Sequence, residues 1–330
     1  MAVTPIGTTT VTAISRRLIL PRITDNIYGS NPLFFRWNRM NKIVEKGGTQ
    51  IEIPVMYSKM AGSQWYSGYQ VLNITPTDSI QNGALPWAQL EVAVTVDGLT
   101  LLRASSNEAI VDYIATQFKQ AEMDIADQLG NGLFSDGVTN TSMTVGLYAA
   151  VDNGSVATSY EGIAHSGNTW WNCQIDSTTT TMGTAALQAL FGSCTSGGRG
   201  PTIIISSQSN YNRYWALNLA SQQFPVQPGG RDQQMAQAGF ENLLFNGVPW
   251  MVDSHCGTGV GNSLTTAQTS GPLFLNESYF EYVVSERANC TMRDFQSPVN
   301  QDAMTALLLW AGQLTCSNIS RQGIMTALTG

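Results

Sequence analysis

The chain has 330 residues, of which only 12% are charged, and its formal net charge is −7. An average soluble protein has about 25% charged residues, so this composition favours a subunit that buries much of its surface against neighbours, although a secreted β-rich protein would look similar. Residues 1–5 do not open a secretory signal, and no apolar run reaches the ~18 residues of a membrane span. We therefore expect a protein that is made in a cytoplasm and does not associate with membranes.

The first predicted elements are the two strands of a long hairpin. Residues 49–55 and 90–96 each alternate apolar with other side chains, which is the strand period. Roughly thirty residues rich in Gly, Ser, Tyr, Asn and Pro separate the two arms. At about 3.3 Å per residue, such a hairpin extends several tens of Å from its base. A two-stranded ribbon is at best marginally stable in water, so we expect another molecule to cover it.

A long amphipathic helix is predicted after the hairpin, over residues 106–129. Ser105 and Glu108 have the spacing of a capping box, and Gly130 and Gly132 supply a stop signal. At 1.5 Å per residue the helix is about 36 Å long. Apolar residues recur every three or four positions, at Ile110, Ile114, Phe118, Ala121, Ile125 and Leu129, and the other face carries Asp112, Glu122, Asp124 and Asp127. By itself this pattern is more typical of an ordinary amphipathic helix of a globular enzyme.

The second half of the chain predicts a mixed sheet flanked by helices. The dipeptide Asn246-Gly247 predicts the turn of a hairpin between residues 243 and 250. The other helices and strands are predicted at residues 182–191, 202–206, near 211–217, 274–284 and 303–316.

The residue types that usually carry chemistry form no recognisable constellation. The five cysteines are odd in number and widely spaced, so we predict neither a disulfide framework nor a metal site, and expect most of them to be small buried residues. His255 and Cys256 lie near Asp253 in a glycine-rich loop, where we expect no metal or catalytic role. The chain has no phosphate-binding loop with a Lys-Ser/Thr pair and no nucleophile elbow. No cofactor and no enzyme activity are predicted.

Several short runs of residues resemble a family of tailed-phage major capsid proteins. They occur in that family's order across about residues 30–325, which is nearly the whole chain. The runs are Gln64–Tyr69, Leu133–Gly137, Val145–Leu147, Glu161–Ala164, Asn168–Asn172 and Gly312–Asn318 with Arg321–Gly323. No single run is diagnostic, and their joint order carries the resemblance. It implies an α+β fold of the Hong Kong 97-like capsid type.

That capsid fold divides the chain into four parts. The resemblance implies an N-terminal arm over residues 1–45 and an extended β-hairpin loop over 46–97. A peripheral domain, with the long helix as its spine, would comprise 98–180 and 287–330. An axial domain with a mixed sheet and flanking helices would comprise 181–286.

The resemblance also implies a function, which is structural. The chain would be a major capsid protein that self-assembles through hexamers and pentamers into the icosahedral shell of a virion, in the host cytoplasm. Its other partners would be scaffold, portal and decoration proteins, and packaged double-stranded DNA held without sequence-specific binding. One alternative is the shell of a cellular compartment of the same fold, which encloses cargo enzymes. A carbohydrate-active or binding protein rich in β structure is another.

The uneven charge distribution predicts one set of candidate residues for contacts between subunits. Residues 1–46 carry seven basic and two acidic groups, hence +5, whereas the remaining residues carry −12. We hypothesise that this basic arm, through Arg16, Arg17 and Arg22, lies on acidic surface of a neighbouring subunit. Contact with packaged DNA and a solvated tail are the alternatives. Asp112 and Glu122 of the long helix are acidic interface candidates.

The extended loop supplies the other candidates. Trp65, Tyr66 and Tyr69 are expected to be contact anchors, because aromatic residues dominate interface hot spots, although packing within the loop is an alternative. Lys59 is the only lysine of the loop beyond its base. In some members of the family that this chain resembles, such a lysine is joined covalently to an Asn of a neighbouring subunit. Nothing in the sequence near Lys59 identifies the acid catalyst that this needs, so we do not expect a crosslink.

Overall fold

The computed structural model describes residues 31–99, 107–221, 243–257, 264, 270–297 and 302–328, and only the backbone of 107–112 and 219–221. The α-helices in these ranges are α1 (Pro32–Arg39), α2 (Asn107–Leu133), α3 (Leu147–Ala150), α4 (Thr184–Cys194) and α5 (Gln208–Ser221). None of these five combines the length and the hydrophobicity that a bilayer crossing requires.

The strands in the same ranges form four sheets. In chain order they are β1 (Ile43–Lys46), β2 (Ile51–Met56), β3 (Ile80–Leu85), β4 (Ala88–Asp97), β5 (Ser159–Tyr160), β6 (Ile163–Ala164), β7 (Gln174–Asp176), β8 (Ile203–Ser206), β9 (Leu243–Phe245), β10 (Val248–Val252), β11 (Leu273–Leu275), β12 (Phe280–Ser285), β13 (Thr291–Met292), β14 (Ala303–Cys316) and β15 (Gly323–Met325).

A five-stranded sheet is organised around β14, its longest strand. Along one edge β14 pairs antiparallel with β4 over ten residues, from Ala303 opposite Asp97 to Gly312 opposite Ala88. Along the other edge it pairs with β12 and β13, and β1 adds to β12 in parallel. This sheet and the long helix α2 contribute side chains to the largest core cluster.

A six-stranded mixed sheet, in the order β7-β15-β11-β8-β10-β9, confirms the mixed sheet predicted for the second half. In β8, Ile203 and Ile205 belong to the largest core cluster, whereas Ile204 packs in a second cluster that includes side chains of α4 and α5. Successive side chains of a strand point to opposite faces, which explains why β8 is apolar throughout. The predicted Asn246-Gly247 turn joins β9 to β10, and both residues have positive φ, 51° and 77°.

The two sheets cross the boundaries predicted for the domains. β7 and β15 belong to the six-stranded sheet, although the sequence placed residues 98–180 and 287–330 in the peripheral domain. β12, which falls within the axial range 181–286, belongs to the five-stranded sheet instead. The division into domains remains a prediction.

The long helix predicted over residues 106–129 is α2, which continues to Leu133. Its apolar stripe faces the core as expected, since the side chains of Ile114, Phe118, Ala121, Ile125, Leu129 and Leu133 are all buried. Ser105 and the side chain of Glu108, which form the predicted capping box, lie outside the described residues.

Gly130 and Gly132 do not end the helix, and the prediction of a stop there was wrong. A Cβ atom on Gly130 would lie 2.6 Å from both Asn31 Nδ2 and His255 Cε1. A Cβ atom on Gly132 would lie 2.5 Å from Thr144 Oγ1. Neighbouring side chains therefore crowd both positions, and glycine leaves room for them inside the helix instead of ending it.

The predicted hairpin is present, but its return arm is a different strand. β2 pairs antiparallel with β3, from Ile51 opposite Leu85 to Met56 opposite Ile80. The predicted return arm, residues 90–96, lies in β4, which pairs with β14. That pairing was predicted wrongly because an alternating pattern identifies a strand but not its partner.

Residues 31–46 pack into the body and are not part of a free arm. Trp37 of α1 is fully buried, and Arg36 Nε lies 2.7 Å from Glu277 Oε1, with side chains only 10% and 3% exposed. Lys46 Nζ lies 3.3 Å from Glu281 Oε2. These two basic residues, which the sequence assigned to the arm, are therefore paired within their own chain.

Candidate subunit-contact site

The outer loop of the hairpin, residues 57–79, concentrates exposed apolar side chains. Trp65 and Tyr69 are fully exposed, and Ile74 is 90% exposed. The other large exposed apolar side chains of the loop are Met60, Tyr66, Val71 and Leu72. Soluble monomers rarely present a large apolar surface of this kind, so the outer loop is a candidate contact site for another molecule.

Hydrogen bonds between its two sides hold the outer loop as a narrow ribbon. Near the base, the N–H of Tyr57 donates to the carbonyl oxygen of Ser79 at 3.0 Å. Further out, Nδ2 of Asn73 donates to the carbonyl oxygen of Ala61 at 3.3 Å. These contacts extend the β2–β3 pairing away from the body, so residues 65–69 lie towards the far end of the ribbon.

The base of the hairpin is fixed to the five-stranded sheet. Ile51 of β2 and Leu85 of β3 are buried together with Val283 of β12. The indole N–H of Trp87 donates to the carbonyl oxygen of Gly48 at 2.9 Å. The exposed outer loop is therefore carried on a base that is packed into the body.

A buried carboxyl group, that of Glu161, also contacts this base. Glu161 is 1% exposed, and its Oε1 accepts a hydrogen bond from the N–H of Cys316 at 2.8 Å. Its main-chain oxygen accepts a hydrogen bond from the N–H of Ala84 in β3 at 2.9 Å. Burial raises the pKa of Glu161 to about 8, because the ionised form is poorly solvated there. The carboxyl group is consequently mostly protonated at neutral pH.

The structure brings four of the predicted interface candidates together on the outer loop. These are Lys59, Trp65, Tyr66 and Tyr69, all of which are exposed. Glu122 is half-buried on α2. Arg16, Arg17, Arg22 and the side chain of Asp112 lie outside the described residues. An interface role for all of these candidates remains a prediction.

The cysteine residues behave as small buried groups. All five cysteines are free and buried, as predicted. Burial raises the pKa of the Cys256 thiol to about 12, so this thiol is protonated and unreactive. Within the described ranges, no cluster of His, Cys, Asp and Glu has the geometry to hold a metal ion.

A cavity of about 250 Å³ lies between β4, α2 and residues 140–144. It is lined by amide, hydroxyl and apolar groups, among them Gln128, Ser142 and Trp310. Its lining contains no ionisable side chain, so this cavity offers no acid–base pair for catalysis.

Two contacts of the body were not found by sequence reasoning. The run Glu161–Ala164 contributed to the resemblance, but nothing marked its carboxyl group as buried. The sequence did contain a signal for a two-residue turn, because the dipeptide Glu161-Gly162 lies between two short β segments. The Arg36–Glu277 pair joins residues 241 positions apart, and no local pattern predicts such a partner.

The mixed α+β body with its projecting hairpin is a capsid-type fold, as solved structures show. A chain of the cyanophage A-1(L) capsid asymmetric unit has a TM-score of 0.65 and 14% identity, over 88% of this chain and 91% of that chain. A chain of the capsid of the native GTA particle has a TM-score of 0.59 and 12% identity, over 89% of this chain and 90% of that chain. A chain of the holo-SrpI encapsulin complex from Synechococcus elongatus PCC 7942 has a TM-score of 0.53 and 10% identity, over 87% of this chain and 84% of that chain.

These similarities establish the fold and confirm the α+β capsid fold that the sequence predicts. The likeness is structural, since identities are between 10% and 14%. No protein-family model matches the chain, and no curated protein matches its sequence.

Proposed function

We propose that this chain is the major capsid protein of a tailed double-stranded DNA phage. Copies of it assemble through hexamers and pentamers into the icosahedral shell of the virion, in the host cytoplasm. The chain catalyses no reaction in this role, and its task is to make contacts with copies of itself. Scaffold, portal and decoration proteins are its further partners, and the packaged DNA is held without sequence-specific contacts.

The observation that carries the proposal is the extent of the fold similarity. The match to the cyanophage capsid chain covers 88% of this chain and 91% of the other. A protein that shared a single domain with capsid subunits would match over part of one chain only. Similarity across both chains favours the same overall role.

The outer loop of the hairpin supports self-assembly in particular. Trp65 and Tyr69 are fully exposed in the isolated chain, and aromatic side chains dominate the energetics of protein interfaces. Burying them against a neighbouring copy removes this apolar surface from water. Many such contacts, each of modest strength, stabilise a closed shell collectively.

Imaging of the purified chain tests the proposal. The chain is expressed alone and then together with the products of neighbouring structural genes, and the material is examined by negative-stain electron microscopy and mass photometry. Closed shells, or rings of five and six copies, are the expected result. A stable monomer under both conditions contradicts the proposal.

A cellular compartment shell is the second candidate function, because the holo-SrpI encapsulin complex also shares the fold, with a TM-score of 0.53. The phage role is preferred because the cyanophage capsid chain is more similar, with a TM-score of 0.65. Analysis of particles from the native source separates the two functions. Nuclease-protected DNA inside the particles favours the phage capsid, whereas a packaged enzyme favours the compartment.

A further inference from the structure

The turn between β5 and β6 contains an unexpected residue. Tyr160 pairs with Ile163 across this turn, and the two residues between them, Glu161 and Gly162, both have positive φ, 54° and 72°. A two-residue turn with this conformation favours Asn, Asp or Gly at its first position. A glutamate is strained there and persists only when its surroundings fix it. The contacts of its side chain are therefore informative.

Glu161 connects two elements that are distant in sequence, one through its side chain and the other through its main chain. Through Oε1 it accepts the N–H of Cys316 at the end of β14, while its main-chain oxygen accepts the N–H of Ala84 in β3. Gly83 gives it room, since a Cβ atom at Gly83 would lie only 3.0 Å from Glu161 Oε2. The adjacent Tyr160 hydroxyl donates to the carbonyl oxygen of Leu314 at 2.9 Å. The turn is thus attached to β14 on one side and to the hairpin base on the other.

We propose that Glu161 is a positioning residue for assembly, which holds the base of the hairpin against the end of β14. The inference rests on the proposed function, in which the outer loop of the hairpin contacts neighbouring subunits. Tyr57, the first residue of the outer loop, contacts Trp170 of the body with ring centroids 5.4 Å apart, next to the pairing of β2 with β3. The direction in which the loop projects is therefore set at its base. A displaced turn would release β3 and misdirect Trp65 and Tyr69.

The protonation state of the carboxyl group controls this contact. The titratable groups next to Glu161 are the Tyr160 phenol and the Cys316 thiol, and β3 contributes only Gly83 and Ala84. In the described part of the chain, no ion pair involves Glu161, and its Oε2 has no hydrogen-bond partner. An ionised carboxylate here is buried without a counter-charge. Burial raises the pKa of Glu161 to about 8, although the hydrogen bond from the N–H of Cys316 favours the ionised form. The buried position of the carboxyl group therefore becomes less favourable as the pH rises through that value.

Two substitutions separate this role from that of an ordinary turn residue. Glu161→Asn suits the turn conformation better than glutamate, but its side chain is one methylene shorter than that of Glu161 and cannot span the distance to the N–H of Cys316. Glu161→Gln keeps an acceptor at the position of Oε1 and removes the titrating group. Amide hydrogen exchange is measured at Cys316 and Ala84, and shell formation is followed by light scattering, at about pH 6.5 and about pH 9 on either side of the pKa.

We expect the protection factor of Cys316 in Glu161→Asn to fall at least about tenfold, with a loss at Ala84 as well and poor shell formation at both pH values. Wild-type protein should show the same losses only at the higher pH, whereas Glu161→Gln should keep protection and shells at both. The inference is overturned if Glu161→Asn matches wild type in protection and assembly, or if Glu161→Gln keeps the wild-type pH dependence. If neither the wild-type protein nor any variant assembles but the protection factors follow this pattern, the proposed function fails, whereas the attachment of the hairpin base to β14 through Glu161 stands.

Discussion

The imidazole ring of His255 lies against Asp127 of α2, with Nε2 3.1 Å from Oδ1. Its other nitrogen, Nδ1, lies 3.0 Å from Oδ1 of Asp253. A neutral imidazole has a single N–H, so only the protonated ring donates to both carboxylates. The hydrogen bond with Asp253, followed by that with Asp127, raises the pKa of His255. The charged ring therefore joins the segment after β10 to the long helix.

We predict that the His255 contact stabilises the protein at acidic pH and not at alkaline pH. The pKa of His255 is higher in the folded than in the unfolded chain, so its contribution is fully present below about pH 6.5 and is lost as the pH rises through the raised value. His255→Gln should lower the urea midpoint at about pH 5.5 and change it little at about pH 8.5. Asp127→Asn, at a side chain that is 63% exposed, should give a smaller loss with the same pH dependence. An equal loss at both pH values for His255→Gln would contradict the prediction.

Arg36→Met should strongly destabilise the protein. The guanidinium group of Arg36 is paired with Glu277 in the interior, and Thr202 also donates its hydroxyl to Glu277 at 2.8 Å. Removing the cation leaves a buried carboxylate without a counter-charge, which costs about 3–5 kcal/mol. Urea unfolding measures the loss. A matched double variant, Arg36→Met with Glu277→Gln, should recover part of it, and no recovery would contradict the ion-pair explanation.

Gly130→Ala should be destabilising, although alanine is the better helix former. The added Cβ would lie 2.6 Å from Asn31 Nδ2 and from His255 Cε1, and such overpacking typically costs about 1–3 kcal/mol. Gly192→Ala in α4 is the control, because its Cβ would have no atom within 4 Å. That control should stabilise the protein by up to about 1 kcal/mol. Chemical denaturation of both variants checks the difference in sign.

Replacing both Trp65 and Tyr69 with serine should impair assembly without affecting the folded subunit. Both side chains are fully exposed, so the free energy of unfolding should change by no more than about 0.5 kcal/mol. Loss of two aromatic interface anchors should raise the protein concentration needed for assembly at least about tenfold. Light scattering against concentration measures this threshold. Ser63→Ala in the same loop is the control, and an unchanged threshold in the double variant would show that these aromatics are not contact anchors.

The basic arm yields a separate prediction about assembly. If Arg16, Arg17 and Arg22 lie on acidic surface of a neighbouring copy, replacing all three with glutamine should reduce shell formation, and added salt should weaken wild-type assembly in the same way. Electron microscopy and sedimentation of the purified variant measure the effect. Normal shells from the triple variant, at normal yield, would exclude the neighbour contact.

Local signals in the sequence were sufficient for several elements. The apolar stripe of α2 could be predicted from periodicity, because side-chain direction follows directly from helix geometry. The buried strand β8 could be predicted from a short continuous run of apolar residues after a glycine-rich segment. The Asn246-Gly247 turn could be predicted because few residue pairs adopt positive φ at both positions. Each of these features depends only on residues that are close together in the chain.

The features that were missed depend on partners distant in sequence. Residues 90–96 alternate as any strand does, and their partner β14 begins at Ala303. Gly130 resembles a helix stop locally, yet the packing of His255 decides its role. The burial of Glu161, which creates the candidate positioning site, arises from β3 and β14 together. None of these contacts could be predicted from the residues on either side in the sequence.

The ten-residue register between β4 and β14 has a mechanical consequence. β4 begins at Ala88, just after β3 ends at Leu85, so a pull on the hairpin along the axis of β4 is transmitted directly into this register. Such a force acts on the inter-strand hydrogen bonds in shear, and they must break together, not one after another as in a zipper. The body can thus resist tension that arrives through the exposed outer loop.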